Sequence, residues 1–128
     1  MRLLDTDILI DLGRSYPPAR SWYAAAQGEA FLVPGFVVFE LLTGCDNSLA
    51  VRRLQRWLQP FRIYWPNAMD CERAMATFAR LSLSHGLGMI DVLIAESAIG
   101  LGVPLCTFNV RHFRAIPGLV TEQPYQRI

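Results

Sequence analysis

The chain has 128 residues, a formal net charge of +1 and 52% hydrophobic residues, a length that fits one domain with a real core. The near-neutral balance excludes the broad electrostatic pull of a strongly basic nucleic-acid binder. All twelve cations are arginine and lysine is absent, which excludes any lysine-based mechanism and leaves the side chain that grips phosphate at two points.

The opening stretch Arg2–Leu12 sets the pattern. Leu3 and Leu4 read as the end of a short buried strand, and Ile8, Leu9 and Leu12 follow at helical spacing. A strand that turns directly into a helix leaves Asp5 at the carboxyl edge of a sheet, where open α/β sheets bind ligands. Thr6 or Asp7 then offers an oxygen cap to the helix. Gly13–Pro18 reads as a turn, Ala19–Gln27 as a helix carrying Trp22 and Tyr23, and Glu29–Val33 as a strand. Phe36–Thr43 is apolar nearly all round, which predicts a buried helix, with Glu40 inside it.

Ser48–Gln59 is amphipathic. Ala50, Val51, Leu54, Trp57 and Leu58 form its apolar face, with Arg52, Arg53 and Arg56 on the remaining surface. Phe61–Tyr64 is a strand candidate. Asn67 or Asp70 caps a long helix to about Ser84, with Cys71, Ala74, Met75, Phe78 and Leu81 inward and Arg73 and Arg80 elsewhere. A glycine-rich loop, His85–Gly88, leads to an apolar helix, Met89–Leu101, that begins around Asp91. Val103–Thr107 is a strand, Phe108–Phe113 a loop or helical turn, and Leu119–Thr121 a last short strand. Strands alternating with helices imply an α/β fold. Its central, mainly parallel sheet has four to five strands with helices on both faces, in a single domain over residues 1–128.

The longest apolar stretch, Ala30–Phe39, is broken by Pro34 and Gly35 and falls short of the ~20 residues of a membrane span. Asp5 and Asp7 come too early for a signal peptide. Cys45, Cys71 and Cys106 form no CxxC pair, and their odd number argues against a disulfide framework, so a reducing cytoplasm is the simplest setting. The apolar surplus points to surface covered by another copy or another chain.

Most of the eleven acids, including Glu29, Asp46, Asp70, Glu72 and Glu122, have polar or turn neighbours. Three do not: Asp5 in LLDTDIL, Glu40 in VVFELL and Asp91 in GMIDVLI. A lone carboxylate taken out of water costs several kcal/mol, and no arginine lies within these motifs. One economical solution is that the three converge on a shared metal ion. Hard oxygen donors without an HExxH pair or zinc-type cysteine spacing suit Mg²⁺ or Mn²⁺. The plain alternatives are a helix cap for Asp91, a structural or interface salt bridge for Glu40 and an Asn turn for Asn109. Glu96, five residues past Asp91, reads as surface or interface. Asp7 is a cap or an outer-shell ligand, and Asp11 is solvated. In LCTFNVRHF, Thr107 and Asn109 fall at the same sheet edge as Asp5, and Arg111 is placed to meet a phosphate.

In order and spacing, LLDTDILIDL, FVVFELLTG, GMIDVLIAESAIGLG and TFNVRHF followed by PGL resemble the PIN-domain family, and within it the small VapC-type ribonuclease toxins of toxin–antitoxin pairs. The resemblance spans nearly the whole chain. It implies a three-layer α/β/α PIN-like domain that hydrolyses RNA phosphodiester bonds with Mg²⁺ or Mn²⁺, leaving a 5′-phosphate and a 3′-hydroxyl. Asp5, Glu40 and Asp91 match the family's three central acids. Asp5 and Asp91 would hold the metal, and Glu40 would orient the water or complete the metal shell. Thr6, Asp7, Thr107 and Asn109 would serve the outer shell or the substrate. Arg111, Arg52, Arg53 and Arg56, with Arg73 and Arg80, are candidate RNA-backbone contacts. Asn109 stands where many members have an acid, and His112 where some relatives carry another. A cognate VapB-like antitoxin and a homodimer are further implications, with Ala19–Gln27 and Phe36–Thr43 as walls of the antitoxin groove.

Two other functions stay open at this level. Asp5-Thr6-Asp7 also fits an aspartate-dependent phosphatase of the haloacid-dehalogenase type, although the chain lacks a lysine and the paired downstream aspartates. A non-catalytic PIN-like module that binds RNA or a partner is the other.

Overall fold

The sheet is organised around its N-terminal strand. In the computed structural model, which describes residues 1–26 and 28–128, strands β1 (Arg2–Leu4), β2 (Phe31–Pro34), β3 (Arg62–Tyr64), β4 (Leu105–Cys106) and β5 (Thr121–Glu122) run parallel in the order β3-β2-β1-β4-β5. Leu3 pairs with Leu32 on one side and Leu105 on the other. A parallel strand with neighbours on both sides and helices on both faces must be apolar throughout. Leu3, Leu4, Val33, Leu105 and Cys106 are all fully buried. Helices α1 (Thr6–Gly13), α2 (Pro17–Ala25), α3 (Gly35–Thr43), α4 (Ser48–Leu58), α5 (Ala68–His85), α6 (Met89–Leu101) and the short α7 (Val110–Phe113) fill the connections. Ile8, Leu9, Val37, Leu81, Val92, Ile94 and Phe113 close the core over the strands.

Topology places the site. From β1 the chain steps outward to β2 and β3, then returns through α5 and α6 to β4 on the far side of β1. Where strand order reverses, the flanking connections diverge and leave a crevice beyond the carboxyl ends of the strands. Here that point lies between β1 and β4, and the residues that follow those strands are Asp5 and Thr107. The two strand ends are tied by the Asp5 amide, which donates to the Cys106 carbonyl at 3.0 Å.

Several expectations are revised by packing. Helix α2 starts two residues early, because Pro17 and Pro18 occupy its first two positions, where a missing N–H costs nothing. Its expected end at Gln27 lies outside the described residues. Helix α3 is not buried all round: only Gly35 and Val37 are buried, whereas Phe39 is 53% exposed and Glu40 is exposed. Phe39 joins Phe36 and the half-exposed Trp65 in an edge-on aromatic cluster with ring centroids 5.9–6.1 Å apart. The apolar composition of α3 therefore supplies an open face as well as a core face.

On α5, Cys71 and Met75 are exposed rather than inward. The buried stripe is Asp70, Ala74, Thr77 and Leu81, so the helix is turned to aim two polar residues at α6. Asp70 is only 1% exposed and Glu96 5%, against the expectation that both reach water or an interface. Asp70 accepts from the Tyr64 hydroxyl at 2.7 Å and from Arg73 Nη2 at 2.5 Å. Glu96 accepts from the Thr77 hydroxyl at 2.8 Å and from Arg73 Nε at 3.3 Å. Gly100 is small for this reason: a Cβ there would run into the Asp70 carboxylate and the Arg73 guanidinium. Asp11, also expected in water, is buried and accepts from the Tyr125 hydroxyl at 2.7 Å and Arg127 Nε at 3.0 Å. In each case a hydroxyl and an arginine meet the cost of burying the charge. Among the described residues no helix is long and apolar enough to cross a membrane, and all three cysteines are free.

Candidate active site

Asp5 is itself the cap of α1, a role expected of Thr6 or Asp7. Its Oδ1 accepts from the Thr6 amide at 2.8 Å, and its Oδ2 from the Thr107 hydroxyl at 2.8 Å. The same Thr107 oxygen accepts from the Asn109 amide at 3.0 Å. Asp5 is 8% exposed. Burial, and then repulsion from Asp7 and Asp91, push its carboxyl up to about 7 against the pull of its two hydrogen bonds.

Thr6 carries the link onward, its hydroxyl donating to Glu40 Oε1 at 3.1 Å. The Glu40 carboxyl is also raised, by partial burial first and by the charge of Asp91. Asp91 stands in the first turn of α6, where its Oδ2 accepts from the Gly88 amide at 3.3 Å and meets His112 Nε2 at 2.9 Å. The Asp91 charge thus bears on both Asp5 and Glu40, so three acids from β1, α3 and α6 share one electrostatic neighbourhood. Asp7 lies just behind. Its Oδ2 accepts from the Phe108 amide at 2.9 Å, while its Oδ1 is buried without a partner. Burial raises its carboxyl too.

Charge compensation separates these acids from the others. Arg2 pairs with Glu29 and Glu122, Arg73 with Asp70 and Glu96, and Arg127 with Asp11. Among the described residues no arginine pairs with Asp5, Glu40 or Asp91, and Asp91 meets the His112 ring. An excess of unneutralised hard-oxygen donors in a crevice is the chemistry of a divalent-cation site. Among the described residues no three His, Cys, Asp or Glu side chains close into a ready-made cage. The chemistry of the donors, all hard carboxylate oxygens, fits an ion that keeps several waters, as Mg²⁺ does when one or two carboxylates hold it. Asp5, Asp91 and Glu40 are the residues that could hold it.

The remaining sequence-predicted residues divide. Thr6, Asp7 and Thr107 are wired to Asp5 or to the backbone beside it. Asn109 is exposed next to Thr107, with its amide engaged and its side chain open to solvent. Arg111 is exposed on α7, one residue before His112. Arg52, Arg53 and Arg56 stand exposed on α4 and make no ion pair among the described residues. Arg73 is committed to Asp70 and Glu96, away from the crevice. Sequence reasoning missed the pairing of His112 with Asp91, because 21 residues separate them. The one available signal was the position of His112, three residues past Asn109 in the segment that returns to the sheet edge.

Residues 2–119 match the family model described as the PIN domain. The chain is 34% identical over 130 residues to Ribonuclease VapC19 of Mycobacterium tuberculosis, an alignment covering 98% of this chain and 100% of that protein. It is 32% identical over 114 residues to Ribonuclease VapC10 of the same organism, covering 88% and 86%. Its fold superposes on a chain of a toxin–antitoxin complex from Klebsiella pneumoniae with a TM-score of 0.78 and 25% identity, covering 99% of this chain and 100% of that one. The chain belongs to the PIN-domain family and, within it, to the VapC type.

Proposed function

We propose that the chain is a Mg²⁺- or Mn²⁺-dependent endoribonuclease, a single PIN-like domain over residues 1–128. It would act in the cytoplasm as the toxin of a toxin–antitoxin pair. The observation that carries this reading is the placement of Asp5, Glu40 and Asp91 at the strand-order switch: Thr6 bonds to both Asp5 and Glu40, the Asp91 charge bears on both, and among the described residues every arginine paired to an acid is spent elsewhere. The names of the relatives at 32–34% identity, both ribonucleases, support the substrate class.

Asp5 and Asp91 would hold a divalent ion, whose chemistry would be charge neutralisation at the phosphate and a lowered pKa for water. The chain's own groups do the rest. The Thr6 amide and the Thr107 hydroxyl fix both oxygens of Asp5, so this carboxylate does not reorganise when substrate arrives. The Gly88 amide and His112 both hold Oδ2 of Asp91. Glu40 keeps Oε1 on Thr6 and leaves Oε2 to orient the attacking water and accept its proton. Asn109, exposed beside the buried Thr107, lies where the substrate strand would pass, and Arg111 would meet its backbone.

The solved neighbour is a toxin–antitoxin complex, and we extend that partnership to this chain as a VapB-like antitoxin. The open aromatic face of α3, with Phe39 and Trp65 each more than half exposed, supports such cover. Exposed Met69, Met75 and Leu83 along α5 support a homodimer.

Purified protein tests the reading. Cleavage of single-stranded RNA should require Mg²⁺ or Mn²⁺ and disappear with EDTA and with Asp5→Asn. Turnover of a phosphate monoester with RNA untouched would favour the phosphatase chemistry, and metal-independent RNA binding without cleavage would favour a non-catalytic module. Expression alone should arrest growth, and co-expression of the small gene beside it should relieve the arrest.

A further inference from the structure

Beside the carboxylates lies a cavity of about 540 Å³ lined by His85, Asn109, Arg111, His112, Arg114 and Ala115. Two of these residues join it to the acid crevice. His112 bonds to Asp91 at 2.9 Å, and the Asn109 amide bonds to the Thr107 hydroxyl that holds Asp5. The lining contains two guanidinium groups, two imidazoles and an amide, and no acid. Arg111 and Arg114 make no ion pair among the described residues, unlike Arg2, Arg73 and Arg127. On His85, Nδ1 is taken by the Ser84 hydroxyl at 2.7 Å, which leaves Nε2 for another group.

A cation-lined cavity that abuts an anion-lined crevice suits a ligand carrying negative charge at regular intervals, with one charge met by a metal and the next by arginine. Planar guanidinium groups bind phosphate at two points, and the volume is within the range of sites that hold a nucleotide-sized ligand. We infer that this cavity is a phosphate subsite for the nucleotide next to the cleaved bond, with Arg111 and Arg114 on its phosphate and His85 completing the donor set. The inference rests on the ribonuclease reading above and adds to it a direction, since only one side of the cleaved bond enters the cavity. It also separates Arg111 and Arg114, which line this cavity, from Arg52, Arg53 and Arg56 of α4, which do not.

Binding in EDTA tests the subsite without cleavage. The intact, ¹⁵N-labelled chain is titrated with inorganic phosphate and then with an oligouridylate, following arginine Nε–Hε and histidine ring signals by NMR. Arg111, Arg114 and His85 should shift saturably, ahead of the other unpaired arginines, with both probes. Arg111→Gln/Arg114→Gln should weaken oligouridylate binding about tenfold and lower the slope of log affinity against log salt by about 1. Arg14→Gln/Arg62→Gln, a loss of equal charge elsewhere, should leave both nearly unchanged. Equal shifts at all unpaired arginines, or unchanged binding by the Arg111/Arg114 variant, would overturn the subsite. So would shifts with an oligoglutamate peptide but with neither phosphate nor RNA, which would assign the cavity to an acidic protein segment. Saturable shifts in a chain that cuts no RNA with Mg²⁺ or Mn²⁺ would support the subsite and overturn the nuclease reading. Metal-dependent cleavage unaffected by the double substitution at low RNA concentration would do the reverse.

Discussion

The Thr107 hydroxyl donates to Asp5 Oδ2 at 2.8 Å across 102 residues of sequence and accepts from the Asn109 amide at 3.0 Å. One oxygen thereby joins the end of β1, the end of β4 and the approach to α7. Thr107 is fully buried, so its bond to Asp5 has no water as a substitute.

Replacing Thr107 by valine keeps the shape and removes both bonds. A buried partner left unsatisfied costs ~1–3 kcal/mol, and the loss of a group that orients a metal-binding carboxylate costs about 10–100-fold in activity or metal affinity. Thr107→Val should therefore lower RNA cleavage at least about tenfold and lower the urea midpoint, while Thr107→Ser retains most of both. Steady-state kinetics and urea denaturation of the two variants check this.

The raised carboxyl of Asp5 makes the metal-free chain less stable as pH rises. Folded Asp5 holds its proton up to about 7, whereas the unfolded chain releases it near ~3.9. Between these values the folded state binds more protons, so the stabilising contribution is complete below about pH 4 and is lost as pH climbs through about 7. Asp7 and Glu40 are shifted in the same direction. Asp5→Asn does not titrate, keeps an oxygen for the Thr6 amide and should melt above the unsubstituted chain by a margin that widens from pH 5 to pH 8. Each pKa unit is worth ~1.4 kcal/mol. Mg²⁺ should narrow that margin by stabilising only the carboxylate form. Thermal melts across pH, with and without Mg²⁺, read both effects, and a margin that shrinks as pH rises would contradict the account.

Arg73 balances two acids at once, bonding to Asp70 at 2.5 Å and to Glu96 at 3.3 Å. Arg73→Ala would leave both charges buried without a counter-ion, a change that typically costs ~3–5 kcal/mol. The partial exposure of the guanidinium puts this case at the lower end. Equilibrium unfolding should show the loss, and metal-dependent cleavage by the remaining folded protein should match the unsubstituted chain, because neither acid belongs to the crevice.

What the amino-acid order conveys, and what it hides, follows from distance along the chain. Asp5, Glu40 and Asp91 stand out because each sits in an apolar run, and the strands and most helix limits follow from local periodicity and capping, as at Asn67 with Asp70. Glu96 and Asp11 look solvated for the opposite reason: their compensating partners come from elsewhere, 23 residues off for the Arg73–Glu96 bond and 114 for the Tyr125–Asp11 bond. Asp70 has its partners close by, Arg73 three residues on and Tyr64 six back, and its place in the first turn of a helix hides its burial. Helix α3 misleads because an apolar helix reads alike whether its second face meets a core or is left open. Asp5 takes the capping role expected of its neighbours because α1 begins at Thr6, directly after it, and a helix start is not fixed to the residue by a hydrophobic pattern.

The chemical ends of the cut RNA test the central claim most directly. If water, activated among Asp5, Glu40 and Asp91, attacks the phosphate, the purified chain in Mg²⁺ should yield a 5′-phosphate that RNA ligase joins without prior kinase treatment, and a free 3′-hydroxyl on the other fragment. A 2′,3′-cyclic phosphate, or cutting that persists in EDTA and in Asp5→Asn, would mean that the carboxylates are not the machinery of cleavage.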